Sequence, residues 1–289
     1  MERLEILKTY KIYIGGQFPR TESGRYYDPK NAKGEALANV CLSSRKDLRN
    51  AVVAARKAFG GWAERAAFNR GQILYRIAEM LEGRRAQFVE ELIKQGSTKA
   101  SAEKEVNDAI DLIVYYCGWA DKYQQIFSSV NPVASSHFNF SAQESMGVVG
   151  VIAPQDSSLI GLVSTIIPII TGGNTVVVLA SEKLPLCAVT FAEVLNSSDV
   201  PGGIVNILTG KESELLEHFG THMDINAVLY GGSIDANFYK LKELGTDSVK
   251  RVKRFDTKTK ENPYLIADFQ EVKTTWHPIE NIGGSTSSY

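Results

Sequence analysis

Met146-Gly147-Val148-Val149-Gly150-Val151-Ile152-Ala153-Pro154 is a Val/Ile-rich run closed by a proline, the composition of a buried strand that stops abruptly at its carboxyl end. Downstream of it the texture alternates. A helix-like stretch over 159–170 is followed by a strand over 175–179, a helix over 185–195, a strand over 204–208, a helix over 212–219 and a strand over 227–230. Alternating β and α units predict a parallel sheet with helices on both faces. The expected fold class is therefore α/β, a Rossmann-like doubly wound sheet with its ligand crevice outside the carboxyl ends of the strands.

Upstream the chain reads as mainly helical. Ser43 and Ser44 are candidate caps for a helix over 43–58 that ends at Gly60-Gly61, and further amphipathic helices are expected over 70–94 and 101–123. Residues 11–25 alternate around Gly15-Gly16 as a small hairpin would, and 137–142 alternates again. After 244 the rhythm breaks into a stretch rich in Lys and Arg over 250–260, a mixed segment over 264–276 and a Gly/Ser tail over 282–289.

Composition narrows the function classes. With 32 Lys and Arg against 33 Asp and Glu, no global field draws the chain to nucleic acid or an anionic membrane. The charged residues of 1–10 interrupt any secretory signal, and the apolar run over 159–171 is too short to span about 30 Å of hydrocarbon, so a cytoplasmic location is expected. The 3 cysteines, Cys41, Cys117 and Cys187, are widely spaced and read as packing residues. His218 and His222 stand four apart with Gly220 between them and no carboxylate partner, so a helix end is expected there and no metal site. The basic cluster of Lys250, Arg251, Lys253, Arg254, Lys258 and Lys260 has only Phe255 for base stacking and reads as a solvated connector.

Together with the opening run, Gly173-Asn174-Thr175-Val176-Val177-Val178, Val200-Pro201-Gly202-Gly203-Ile204-Val205-Asn206 and Gly232-Ser233 resemble, in order and spacing, the NAD-binding domain of the aldehyde dehydrogenase superfamily. Tyr13-Ile14-Gly15-Gly16-Gln17 and Tyr115-Tyr116-Cys117-Gly118-Trp119-Ala120 look like earlier elements of that family. The resemblance spans residues 10–245. It resumes over 264–278, where Asp268-Phe269-Gln270-Glu271-Val272 looks like the strand of the family's oligomerisation arm. It implies that a catalytic domain is missing between about 244 and 262, as in the non-catalytic second module of two-module aldehyde dehydrogenases. The implied division is 1–135 and 153–250 for the NAD-binding domain, 136–152 and 264–279 for the arm, 251–263 for the basic connector and 280–289 for a flexible tail.

Aldehyde oxidation in such a family requires a thiolate, donors for the oxyanion, NAD and a carboxylate base. No cysteine follows Cys187, so no catalytic residue is assigned. The family's Pro-Trp-Asn-Phe-Pro segment is Pro154-Gln155-Asp156-Ser157-Ser158 here, and Asp156, Ser157 or Ser158 is expected instead to cap the next helix. Of the family's Lys-Pro-Ser-Glu, only Ser181 and Glu182 remain. In the turn after the last strand Gly232 and Ser233 match, Asn237 replaces a glycine, and Asp235 would oppose phosphate. The general base has no counterpart, the nearest residues being Arg254-Phe255-Asp256-Thr257.

The resemblance thus places any cofactor contacts at Pro154, Ser181, Glu182, Gly232 and Ser233. No cofactor is expected, NAD or NADP being the weaker alternative. The expected function is that of an aldehyde dehydrogenase-like pseudoenzyme that acts by oligomerising with itself or with a full-length aldehyde dehydrogenase subunit. The alternatives are an NAD(P)-dependent dehydrogenase active only beside a partner subunit, and a nucleotide-responsive regulator.

Overall fold

Val148–Ile152 forms the middle of a five-stranded, wholly parallel sheet in the computed structural model, which describes residues 6–31, 33–256 and 261–279. In chain order the elements are β1 (Thr9–Tyr10), β2 (Tyr26–Tyr27), β3 (Asn39–Cys41), α1 (Arg45–Ala63), α2 (Ala67–Gly83), α3 (Arg85–Lys94), α4 (Lys99–Trp119) and α5 (Tyr123–Phe127). Then come β4 (Ser129–Asn131), β5 (His137–Ser145), β6 (Val148–Ile152), α6 (Ile160–Thr171), β7 (Thr175–Leu179), α7 (Leu186–Asn196) and β8 (Val205–Leu208). The chain continues through α8 (Glu212–Thr221), β9 (Ala227–Tyr230), α9 (Asp235–Leu244), β10 (Arg251–Arg254), α10 (Tyr264–Ala267) and β11 (Gln270–Pro278).

The sheet order β10-β9-β6-β7-β8 puts the switch of winding direction at β6. Successive side chains of each strand point to opposite faces, so the sheet feeds two cores. Val149 and Val151 pack with α2, α4, α6 and α7, whereas Val148 and Ile152 pack with Leu48 and Val52 of α1, Phe219 of α8 and Leu241 of α9. This is the expected doubly wound architecture. Two smaller sheets flank it, β1-β3-β2 and an antiparallel β11-β5-β4.

Several local expectations shift. Ser44 caps α1 in a reciprocal capping box with Asp47, but the helix runs through Gly60 and Gly61 to Ala63. Trp62 is the reason: it is buried and its indole Nε1 donates to the Ile170 carbonyl at 2.9 Å, a tertiary anchor that outweighs about 1 kcal/mol of helix propensity per glycine. The single helix expected over 70–94 is two, broken at Gly83 and Arg84, where Arg84 turns to meet Glu193 of α7 at 2.7 Å. The helix expected over 101–123 begins at Lys99 and ends at Trp119, before α5. The hairpin expected over 11–25 reduces to a tight turn: Ile14 and Gln17 exchange backbone hydrogen bonds across Gly15 and Gly16, both left-handed, while Tyr13 bridges to Ile207 of β8.

Two boundaries are corrected. Residues 136–152 do not form one arm: β5 lies in the antiparallel sheet, but β6 is the central strand of the parallel one. Nor do residues 251–256, the described start of the expected connector over 251–263, form a solvated link. The first of these residues are β10, paired in register with β9 from Arg251↔Ala227 to Arg254↔Tyr230. The charges are spent locally: Lys253 meets Asp268 at 2.7 Å, Arg251 meets Glu271 at 3.0 Å and Arg254 meets Asp235 at 2.5 Å. Lys250 is buried and donates to the His222 and Ile225 carbonyls. From β10 the chain passes Phe255, buried, and then α10, whose Ile266 is buried with Phe269 in the same core, before β11 lies down on β5 over Gln270↔Ser145 to Pro278↔His137. Lys258, Lys260 and the tail expected over 280–289 lie outside the described residues.

Candidate functional site

The carboxyl ends of β6, β7 and β9 open into a crevice made of two adjoining cavities of about 500 Å³ each, which share Gln155, Lys183 and Ser233. One is bounded by Asp156, Leu184, Gly232 and Phe255, the other by Glu182, Glu212, Glu217, Asn237 and Lys240. The position follows from the winding of the sheet, because the loops leaving the adjacent strands β6 and β9 lead to helices on opposite faces and part over the strand ends.

Of the residues singled out in the sequence, Glu182, Gly232 and Ser233 line this crevice. Ser181 does not. It is buried, its hydroxyl donates to the Gln155 carbonyl at 3.1 Å and accepts from the Leu184 N–H at 3.1 Å, so it pins the loop rather than offering a donor to a ligand. Pro154 lies beneath the floor: a Cβ placed on Gly231 would come within 2.7 Å of its Cδ. Glu182 has its N–H held by Gln155 Oε1 at 2.9 Å, which aligns the loop.

The strongest cluster in the crevice was not legible as a motif. Glu212, at the start of α8, is 8% exposed, and its Oε1 accepts from the Tyr230 hydroxyl at 2.9 Å and from Asn237 Nδ2 at 2.8 Å. The same hydroxyl lies 3.2 Å from the Ile234 carbonyl. Burial, reinforced by the carboxylate, pushes Tyr230 up to about 12, so it remains a donor. Gly232 is accounted for by this cluster, since a Cβ there would stand 2.4 Å from the Tyr230 hydroxyl oxygen. Only the replacement at Asn237 signalled it in the sequence.

At the start of α6, the N–H groups of Leu159 and Ile160 donate to Glu105 Oε1 at 3.0 Å each, and Gly161 N–H donates to Ser157 Oγ at 2.7 Å. Ser157 is thus the residue among the three candidates that reaches a helix N–H, Ser158 instead donating to the Leu184 carbonyl and Asp156 standing exposed. The first backbone donors of α6 are thus already satisfied by an internal carboxylate from α4.

No thiol borders the crevice. Cys187 and Cys41 are buried, and Cys117 is on α4 with its Sγ 3.1 Å from the Gly71 carbonyl. Burial, with Glu91 adding repulsion, pushes the Cys187 thiol well up, away from the thiolate a nucleophile requires. His222 ends α8 and takes a hydrogen bond from Asp224 N–H at 3.2 Å, and among the described residues no group of three or more His, Cys, Asp and Glu could hold a metal ion. Nor is any helix among them long and apolar enough to cross a membrane.

A nicotinamide dinucleotide, the cofactor such a crevice implies, does not suit this donor set. The Glu212 carboxylate stands beside the start of α9, Asn237 spends its amide on that carboxylate, and Asp235 occupies the first helical turn.

The aldehyde dehydrogenase family model matches residues 19–254, which includes β10 and moves the end of the family resemblance from 245 to that strand. The chain is 31% identical to the cytosolic 10-formyltetrahydrofolate dehydrogenase of Xenopus laevis over 249 residues, 84% of this chain and 28% of that protein. It is 32% identical to retinal dehydrogenase 2 of Gallus gallus over 255 residues, covering 86% of this chain and 48% of that one. Among solved structures, an aldehyde dehydrogenase of Bacillus cereus in complex with NAD+ superposes with a TM-score of 0.81 at 25% identity, covering 86% of this chain and 50% of that chain. The chain therefore spans about half or less of the length of these relatives, and it belongs to the aldehyde dehydrogenase family.

Proposed function

We propose that this protein is an aldehyde dehydrogenase-like chain without turnover of its own, which acts by associating with a second copy or with a full-length aldehyde dehydrogenase through the sheet of β4, β5 and β11. The observation that carries this reading is the outer edge of β11. The strand is nine residues long, about 30 Å at roughly 3.4 Å per residue, and its only partner among the described residues is β5. Such an edge offers a row of backbone donors and acceptors to another chain. One face of the same sheet carries exposed apolar side chains over β4 and β5: Val130 pairs with Phe140, Phe138 lies two residues along, and Val130 and Phe138 are exposed.

Lack of turnover is supported by the crevice, which no cysteine lines, and by the link from β10 to β11. That link packs Phe255, Ile266 and Phe269 into the core where the family would carry its catalytic lobe. Sedimentation velocity at micromolar concentration, with the chain alone and co-expressed with a full-length aldehyde dehydrogenase, tests the reading. The expected result is a species of at least twice the single-chain mass in one of the two preparations. A monomer in both overturns it.

A further inference from the structure

Two cavities join over the ends of β6 and β9, and the buried group facing them is an acid. Glu212 lines the crevice, is more than nine-tenths buried, and is held through Oε1 alone by Tyr230 and Asn237. No hydrogen bond to its Oε2 is present among the described residues. Its neighbours add to the same sign: Glu182, Glu217 and Asp156 line the crevice against Lys183 and Lys240, and Lys240 already lies 3.8 Å from Glu217. Asp235 is paired with Arg254, so that guanidinium is already engaged.

A carboxylate in this position is not an accident of packing. Two elements, β9 and α9, each contribute one donor that fixes the carboxylate α8 presents. Two unit charges of like sign repel more strongly in a partly buried site than in water, because the screening there is weaker. A ligand bringing two phosphates into this crevice would meet that field directly.

We propose that Glu212 and Asn237 set the ligand charge of this crevice: the carboxylate they hold in place bars the diphosphate of a nicotinamide dinucleotide and leaves the crevice to an uncharged or cationic ligand. Asn237 acts as the strut and Glu212 as the charge. The proposal extends the reading of a chain that works by association, and its test is separable from that one, because native mass and ligand binding are measured independently and the arm sheet contains neither residue.

The experiment is isothermal titration with NAD+ and with NADP+ of the wild-type chain, Glu212→Gln, Asn237→Gly and the double variant. Glutamine keeps an acceptor for Tyr230 and Asn237 while removing the charge, so the single variant Glu212→Gln is expected to melt as the wild type does, and it carries the test should the double variant not fold. The wild type is expected to give no heat at millimolar ligand. Glu212→Gln is expected to gain measurable binding, and the double variant to bind at least about tenfold more tightly than the wild type's limit, a gain of about 1.4 kcal/mol. Micromolar binding of NAD+ by the wild type overturns the proposal. So does a folded Glu212→Gln or double variant that binds no better than the wild type.

Discussion

Glu91 on α3 has one oxygen satisfied and one stranded. Tyr10 and Thr190 donate to Oε1 at 2.8 and 2.7 Å, while Oε2 is buried without a hydrogen-bond partner among the described residues. Burial raises its pKa above the ordinary 4.5, against the pull of those two donors. For an acid whose folded value lies above its unfolded one, the stabilisation is complete below the unfolded value and is lost as pH rises through the folded one. Glu91→Gln should therefore gain on the wild type as pH rises above the ordinary carboxyl range, because burial disfavours the charged form of the wild-type side chain. Denaturant midpoints between pH 4 and pH 7 are the measurement, and parallel curves for the two proteins would refute it. Residues of this kind were the least legible in the sequence. Glu105 caps a helix that begins more than fifty positions later in the chain, and Glu212 joins Tyr230 and Asn237 only after α8, β9 and α9 have packed. Neither pairing leaves a local spacing to read.

At the scale of elements, periodicity located four of the five strands of the parallel sheet and the three helices α6, α7 and α8, because each buries a full face and so carries a full pattern. Two elements were hidden for physical reasons. The strand β10 reads Arg251-Val252-Lys253-Arg254, and as an edge strand it packs only Val252 into the core, so its charge disguised it as a linker. The break between α2 and α3 interrupts neither apolar stripe, since both helices pack on α4 and α7. The antiparallel sheet was half legible: β5 and β11 were expected, β4 was not. Its apolar face gives an element-level prediction. Val130→Lys with Phe138→Glu should abolish association in sedimentation while changing unfolding free energy by no more than about 0.5 kcal/mol per site, as both residues are exposed. Undiminished association would show that this face is not the contact.

For the whole molecule, the two cores leave no gap between β10 and β11 for a lobe to complete the crevice from within the described residues, because Phe255, Ile266 and Phe269 share one core with α4 and α6. Aldehydes added with NAD+ to the purified chain should accordingly produce no NADH above a blank at any pH from 6 to 9. Steady formation of NADH by the chain alone would contradict the proposed lack of turnover. What the sequence disclosed at this scale was the architecture. What it concealed was how the chain seals itself, since α10 and the residues around it form a plug only in three dimensions.

The open margin of β11 has a further cost for the cell. A newly made copy that finds no mate displays a ready template for sticky, fibril-like stacking, and proteases and chaperones patrol for that kind of surface. If the proposed association holds, supply of this polypeptide should be governed by whatever it docks with, orphaned copies being cleared faster than assembled ones.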